Sequence, residues 1–365
     1  MKKIFISIII VSILVTNAYA VNNIHTSAEC AVLYDTLSGE CLYTENAYER
    51  HLIASTTKIM TALVVVENCD MDDEVEIKPE HVRVEGSSMY LRIGEVVTVR
   101  ELLYGLLLMS GNDAGLTLAY HCGGDVESFV RMMNEYASKL GLENTSFENP
   151  HGLDGERHYS TAYELAVLTE HAMKNETFRE IVGCRNYNSG TRSMQNHNKL
   201  LWKYDGAVGV KTGFTKAAGR CLVSAAERDG RMLIAVTLNA PDDWNDHMKL
   251  YDSAFGGMES VYVAEEGKSV GKIPVVGGEN EYIELFVHES IVLNLKKDDE
   301  ITVELYADQF VYAPVIDGGY AGKIRVYCGS RMICERDIFF GENVKRSENV
   351  FLKILNELLA KFIAV

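Results

Sequence analysis

No basic stripe occurs anywhere in this 365-residue chain, and its formal charge is -17. A phosphate backbone would be repelled rather than held, which excludes nucleic acid as a partner. No His-Glu-x-x-His or comparable cluster occurs among the ten histidines, so zinc peptidase chemistry is excluded and neither a metal nor another cofactor is expected. His151 and His158 flank a loop and read as structural. A comfortable membrane span is also missing, because the N-terminal apolar run from Ile4 to Val15 is too short for one.

That run follows two lysines and ends in the small-x-small step Ala18-Tyr19-Ala20. The pattern is that of a secretory signal peptide over residues 1–20, so the mature chain is expected to begin near Val21 and to work outside the cytoplasm. The remaining length, with 47% hydrophobic residues, is enough for two domains with real cores. Eight cysteines follow the signal peptide, and an exported chain could join them in any of about 105 pairings. Cys30 and Cys41 flank the Ser38-Gly39 turn, and Cys328 and Cys334 flank Gly329-Ser330. Tight turns there leave both pairs out of register, so free thiols acting as small apolar groups are expected.

ECAVLYDTLSGECLYT reads as a hairpin. A helix is expected over Ser55 to Val66, and a second opens at the capping box Thr98-x-x-Glu101 and stops before Ser110-Gly111-Asn112. Asp125 caps a third, running to Gly141, and Thr161-x-x-Glu164 opens a fourth through about Lys174. GAVGVKTG, RCLVSAAER and RMLIAVTLN then read as strands, the last two joined by Asp229-Gly230, with Lys211 at the end of the first. One sheet built from both ends of the domain, with helices packed on it, follows from that order. The composition shifts near Met258 to Val263, after which YIELFVHES, EITVELYAD, GKIRVYCGS and MICERDIFF give an all-β domain over 262–342. Residues 347–365 form an amphipathic pattern in which Val350, Phe351, Ile354, Leu355, Leu358, Leu359, Phe362 and Ile363 oppose Lys353, Asn356, Glu357 and Lys361. A helix lying in a membrane interface is expected, the alternative being packing on the β domain.

The chemistry centres on Ser55-Thr56-Thr57-Lys58. An i, i+3 pair in a first helical turn projects both groups from one face. A lysine whose pKa is depressed by burial and a second cation can take the serine proton, and a helix N-terminus adds N–H donors where an oxyanion would develop. Alone, the pair also fits a helix N-cap beside a solvated lysine, and Ser269-x-x-Lys272 shows that the pattern arises by chance. Two further motifs separate the cases: Ser110-Gly111-Asn112 in a loop and Lys211-Thr212-Gly213 on a strand.

Ser-x-x-Lys, Ser-x-Asn and Lys-Thr-Gly in that order resemble the signature of penicillin-binding proteins and serine β-lactamases. GSSMYLRIGEVVTVRELLYGLLLMSGNDA, FENPHGLDGERHYSTAYELAVLT and GVKTGFTKAAGRCLVSAAERDGRMLIAVTLN resemble the low-molecular-mass D-alanyl-D-alanine carboxypeptidases over roughly residues 25 to 255. The resemblance implies an α+β fold, an antiparallel sheet with helices on both faces over 21–258, followed by the small all-β domain and the membrane-anchoring helix. It implies Ser55 as the acylated nucleophile, Lys58 as its base, Ser110 as proton relay to the leaving D-alanine and Asn112 as holder of the acyl amide. Lys211 would supply positive charge, Thr212 and Gly213 would line the carboxylate site, and the N–H groups of Ser55 and Phe214 would form the oxyanion hole. The implied partners are peptidoglycan stem peptides, β-lactams and the membrane surface, at the outer face of the cytoplasmic membrane, the cell wall or the periplasm. One departure is that relatives carry an arginine where this chain reads Asn239-Ala240-Pro241-Asp242-Asp243-Trp244, with Arg220 as a possible substitute. Competing functions are a β-lactamase, for which Glu148 stands in about the right place but Gly152 replaces the expected asparagine, and a non-catalytic wall-binding protein of the same fold.

Overall fold

The structure, a computed structural model, describes residues 4–8, 24–296 and 299–347. Most of the expected signal peptide, and the amphipathic segment from residue 348 on, lie outside them. The chain divides into two compact units, residues 18–257 and a unit made of residues 258 onward with the N-terminal segment.

The first unit is built on a five-stranded antiparallel sheet: β1 (Cys30–Asp35), β2 (Glu40–Glu45), β3 (Ala207–Thr215), β4 (Gly219–Arg228) and β5 (Arg231–Leu238), in the order β2-β1-β5-β4-β3. The two ends of the unit meet where β5 pairs with β1, Leu238 opposite Cys30 and Leu233 opposite Asp35. Between β4 and β5, Asp229 and Gly230 both take positive φ, +45° and +76°, as a two-residue hairpin turn requires.

Both faces of this sheet are covered, which is why its strands read as apolar runs rather than alternations. Val32 and Tyr34, Cys221, Val223 and Ala225, and Ile234 and Val236 face a helical core. The residues between them face α7 (Asp243–Phe255), where His247 bridges Ser224 Oγ at 2.6 Å and Thr237 Oγ1 at 2.9 Å. On the first face, α1 (Lys58–Asn68) is buried from Lys58 to Val65, surrounded by α2 (Val99–Leu108), α3 (Asn112–Gly123), α4 (Val126–Lys139), α5 (Ala162–Ala172) and α6 (Glu176–Gly183). The expected starts of α2, α4 and α5 have the expected caps. Thr98 accepts from Glu101 N–H at 3.1 Å, Asp125 from Ser128 N–H at 2.7 Å and Thr161 from Glu164 N–H at 3.0 Å.

Arg231, the first residue of β5, is fully buried against Asp35 at the end of β1, its Nε donating to Oδ1 at 3.1 Å and a second guanidinium nitrogen to Oδ2. Asp35 also accepts from Leu37 N–H and Ser38 O–H, so it organises the β1–β2 turn as well. Removing one member of a buried pair strands the other charge. Arg231→Leu is therefore expected to lose about 3–5 kcal/mol of stability, read as a fall in the urea midpoint, and an unchanged midpoint would contradict the pairing.

The second unit is all β. Its larger sheet has seven strands in the order Ile4–Ile8, Ile301–Ala307, Tyr320–Cys328, Arg331–Phe340, Tyr282–Phe286, Gly271–Val276 and Val311–Tyr312. All neighbours are antiparallel except the last pair. A separate two-stranded ribbon joins Met258–Ala264 to Ile291–Lys296. The alternating burial of Gly271–Val276 and Tyr282–Phe286 matches one apolar and one wet face.

Candidate active site

The turn that carries Ser55 is tighter than an α-helix start. Ala54–Thr57 forms a 3-10 turn, and α1 proper begins at Lys58. Ser55 is thus not a helix N-cap, and no side chain caps this end. Ala54 sits at φ +47°, a conformation that a non-glycine residue keeps only when its surroundings hold it there. Part of that hold comes from Gly152. A Cβ on Gly152 would lie 2.0 Å from the carbonyl oxygen of Ala54, so only glycine, here at φ +89°, lets the two backbones meet. Gly213 does the same from the other side: a Cβ there would come within 3.0 Å of the Ser55 backbone nitrogen. Strand β3 therefore runs directly against the serine turn.

Lys58 is not a solvated lysine. Its side chain is 0% exposed, and Nζ lies 2.9 Å from Ser55 Oγ, 2.8 Å from Asn112 Oδ1 and 2.5 Å from the carbonyl oxygen of His151. A neutral amine placed this way donates its two hydrogens to the Asn112 and His151 oxygens and turns its lone pair toward the Ser55 hydroxyl. The electrostatics favour that form. Burial pushes the Lys58 pKa well below the usual lysine range, and the charge of Lys211 lowers it further, against a smaller opposing pull from Asp113.

Asn112 is the first residue of α3 rather than part of a loop, and its side chain is held at both ends. Oδ1 accepts from Lys58 and Nδ2 donates to Glu85 C=O at 2.6 Å. Ser110 lies two residues earlier, buried at φ +60° in the short turn between α2 and α3. Lys211 stands in the middle of β3 rather than at its end, 1% exposed, with Nζ donating to Thr212 C=O at 2.8 Å. Burial brings the Lys211 pKa down to about 7. Thr212 and Gly213 are half-buried beside it, while the Phe214 ring is 65% exposed.

Arg220 is committed elsewhere. It pairs with Asp243 through two of its three guanidinium nitrogens, Nε and Nη2, at 2.7 to 3.2 Å, and lies over the Trp244 ring. Glu148 is likewise engaged, accepting from Arg157 Nε at 3.1 Å and from Arg157 N–H at 3.0 Å. The two histidines read as structural stand closer to the chemistry than expected. His151 supplies the carbonyl that holds Lys58, and His158 Nε2 meets Thr57 Oγ1 at 2.7 Å, inside the Ser55–Lys58 turn. Asp113, next to Asn112, was also not singled out by sequence. Its carboxylate accepts from Ser88 O–H and from the N–H groups of Met89, Leu91 and Ala114, fixing the 88–91 loop to the start of α3. Among the described residues, no group of three His, Cys, Asp or Glu side chains is arranged to hold a metal ion.

Two family matches cover the two units. Residues 17–242 match the family described as D-alanyl-D-alanine carboxypeptidase, and residues 259–346 match the C-terminal domain of penicillin-binding protein 5. The chain is 34% identical over 345 residues to the D-alanyl-D-alanine carboxypeptidase DacF of Bacillus subtilis, covering 89% of this chain and 88% of that protein. It is 40% identical over 243 residues to a D-alanyl-D-alanine carboxypeptidase of Streptomyces strain K15, covering 60% and 84%. Among solved structures, penicillin binding protein 5 of Haemophilus influenzae superposes with a TM-score of 0.64 at 29% identity, over 89% of this chain and 99% of that one.

Proposed function

Because the chain belongs to the serine-type D-alanyl-D-alanine carboxypeptidases, the low-molecular-mass penicillin-binding proteins, we propose that it is exported and trims peptidoglycan stem peptides through an acyl-enzyme on Ser55. The observation that carries this reading is the fully buried Lys58 amine 2.9 Å from Ser55 Oγ. Ser55 Oγ attacks the carbonyl carbon of the penultimate D-alanine while Lys58 takes its proton. The C–N bond to the terminal D-alanine breaks, and that proton reaches the leaving amine by way of Ser110. Water then attacks the ester carbon, losing a proton to Lys58; the Oγ–C bond breaks and Lys58 passes that proton to Ser55 Oγ, which restores the hydroxyl and the neutral amine.

Asn112 holds the acyl amide in this scheme. The approach of Gly213 to the Ser55 nitrogen supports the N–H groups of Ser55 and Phe214 as the oxyanion donors. Lys211 and Thr212 receive the terminal carboxylate of the substrate, a cation and a hydroxyl being suited to it. A β-lactam is attacked at its ring carbonyl by the same serine, but its leaving nitrogen stays tethered, so the ester persists and the enzyme is inhibited. The engagement of Glu148 by Arg157 counts against a β-lactamase using that carboxylate to activate water. The action is proposed at the outer face of the cytoplasmic membrane, in the cell wall or in the periplasm, with residues 347–365 binding the membrane surface.

Intact-mass spectrometry after exposure to penicillin, with D-alanine release from a D-Ala-D-Ala peptide assayed in parallel, tests the reading. A single drug adduct together with D-alanine release is expected. Absence of any adduct would sink the serine mechanism, and an adduct without release would leave a binding protein.

The two lysines also set a pH profile. Lys58 works as the neutral amine and Lys211 as the cation. As pH falls through the depressed Lys58 pKa, the base is lost. As pH rises through about 7, free Lys211 loses its charge and with it the carboxylate grip. A bell-shaped kcat/KM is expected, with its alkaline limb starting near pH 7. In kcat that limb moves upward, because the bound carboxylate favours the charged lysine. Lys211→Gln is expected to lower kcat/KM about 100-fold and flatten the alkaline limb. A limb that survives the substitution would assign it to another group.

A further inference from the structure

His158 is buried beside the Ser55 turn, and both of its ring nitrogens are bonded. The backbone N–H of Glu148 points at Nδ1 at 3.0 Å, and Nε2 lies 2.7 Å from Thr57 Oγ1. A backbone N–H can only donate, so Nδ1 is the acceptor and the ring proton sits on Nε2. Burial favours this neutral ring, taking the His158 pKa down to about 4 although Glu148 and Asp154 pull the other way. Nε2–H therefore donates to Thr57 Oγ1, and the Thr57 hydroxyl donates to the Ala54 carbonyl oxygen at 2.8 Å. The bonds run in one direction, from Glu148 N–H through His158 and Thr57 to Ala54 C=O.

The end of that chain of bonds matters because Ala54 C=O and Ser55 N–H belong to one planar trans peptide unit, in which they point in opposite directions. Fixing the carbonyl fixes the direction of the N–H. Ala54 keeps its φ of +47° under this bond, and Gly152 of the same loop packs its backbone against the same oxygen. We propose that His158 is a positioning residue for acylation: through Thr57 it locks the peptide between Ala54 and Ser55 and aims the Ser55 N–H at the oxygen that becomes negative in the tetrahedral intermediate. The role rests on Ser55 as the nucleophile. It gives the 148–158 loop two tasks at the site, since the His151 carbonyl also holds Lys58. An oxyanion donor acts more strongly in the transition state than in the bound substrate, so misaiming it slows acylation and leaves binding nearly unchanged.

The test separates the acylation rate constant from the dissociation constant of penicillin by stopped flow, on the full chain and its variants well below their melting temperatures. His158→Phe keeps a ring but neither nitrogen, and Thr57→Val keeps the β-branched shape but not the hydroxyl. Each is expected to slow acylation about 30-fold, with the dissociation constant within about threefold of the parent. The double variant should be no more than about threefold slower than the slower single one, because both changes cut the same chain of bonds. His158→Gln offers Thr57 an amide N–H and should recover about tenfold of the loss. Undiminished acylation in folded His158→Phe or Thr57→Val, a loss confined to the dissociation constant, single losses that multiply, or no recovery in His158→Gln would each overturn the proposal. Nitrogen NMR of the histidine-labelled parent needs no variant and no drug: a bare Nδ1 and a protonated Nε2 on His158 are expected at neutral pH, and a protonated Nδ1 would overturn it. A parent that forms no Ser55 adduct would overturn the nucleophile and this role with it, whereas a parent that acylates no faster than its folded variants would overturn this role alone.

Discussion

Ser55→Ala is expected to lower D-alanine release by at least about 10⁴-fold and to abolish the penicillin adduct. The reasoning is local. Ser55 Oγ meets Lys58 Nζ at 2.9 Å and is 3.5 Å from the His151 carbonyl oxygen, and it carries no cap of α1. Its loss removes the atom that would bear the acyl group and little of the packing. The melting temperature should accordingly stay within about 2 °C of the parent. Adduct formation by the variant at an undiminished rate would move the nucleophile elsewhere in the chain. A collapse in melting temperature would instead give the oxygen a structural role that its contacts do not suggest.

Lys58→Met carries the second large expectation, a fall of about 10³-fold or more in both acylation by penicillin and D-alanine release. Methionine comes close to the lysine stem in length and apolar character, so the buried channel stays filled. What disappears is the proton acceptor, while the Asn112 and His151 oxygens lose their donor. The acid limb of the kcat/KM profile should disappear with it, because no group at that position then titrates. Stopped-flow acylation across pH reads both effects. Persistence of the acid limb in the variant would show that the proton goes to a different base.

Chemistry borne by side chains at fixed spacing was legible in the sequence. Ser55 and Lys58 were legible because they are three apart, and Thr98, Asp125 and Thr161 because an oxygen-bearing cap precedes each apolar helical run. The Asp229-Gly230 turn was legible because few other pairs tolerate two positive φ values. Less visible was everything that depends on backbone meeting backbone. Nothing in the side chain of His151 announces that its carbonyl will hold Lys58, and Gly152 looks like any loop glycine until Ala54 is brought against it. By sequence Ser110-Gly111-Asn112 reads as a loop, yet the helix starts at Asn112 itself. By sequence Lys211 reads as the end of a strand, whereas β3 continues through Gly213 to Thr215. In the sheet that glycine lets β3 approach the serine turn, a Cβ there falling 3.0 Å from the Ser55 nitrogen.

The pairing of β5 with β1 joins segments some two hundred residues apart in the chain, and the serine turn and the helices bearing Lys58 and Asn112 are threaded between them. A nascent chain that stops before residue 207 lacks β3, β4 and β5, and with them the strand that seats the serine turn. Long-range closure of this kind makes folding slow compared with local helix formation. The capacity to be acylated should thus arise late in synthesis and all at once, which makes a fluorescent penicillin a time stamp for the moment the last strands dock.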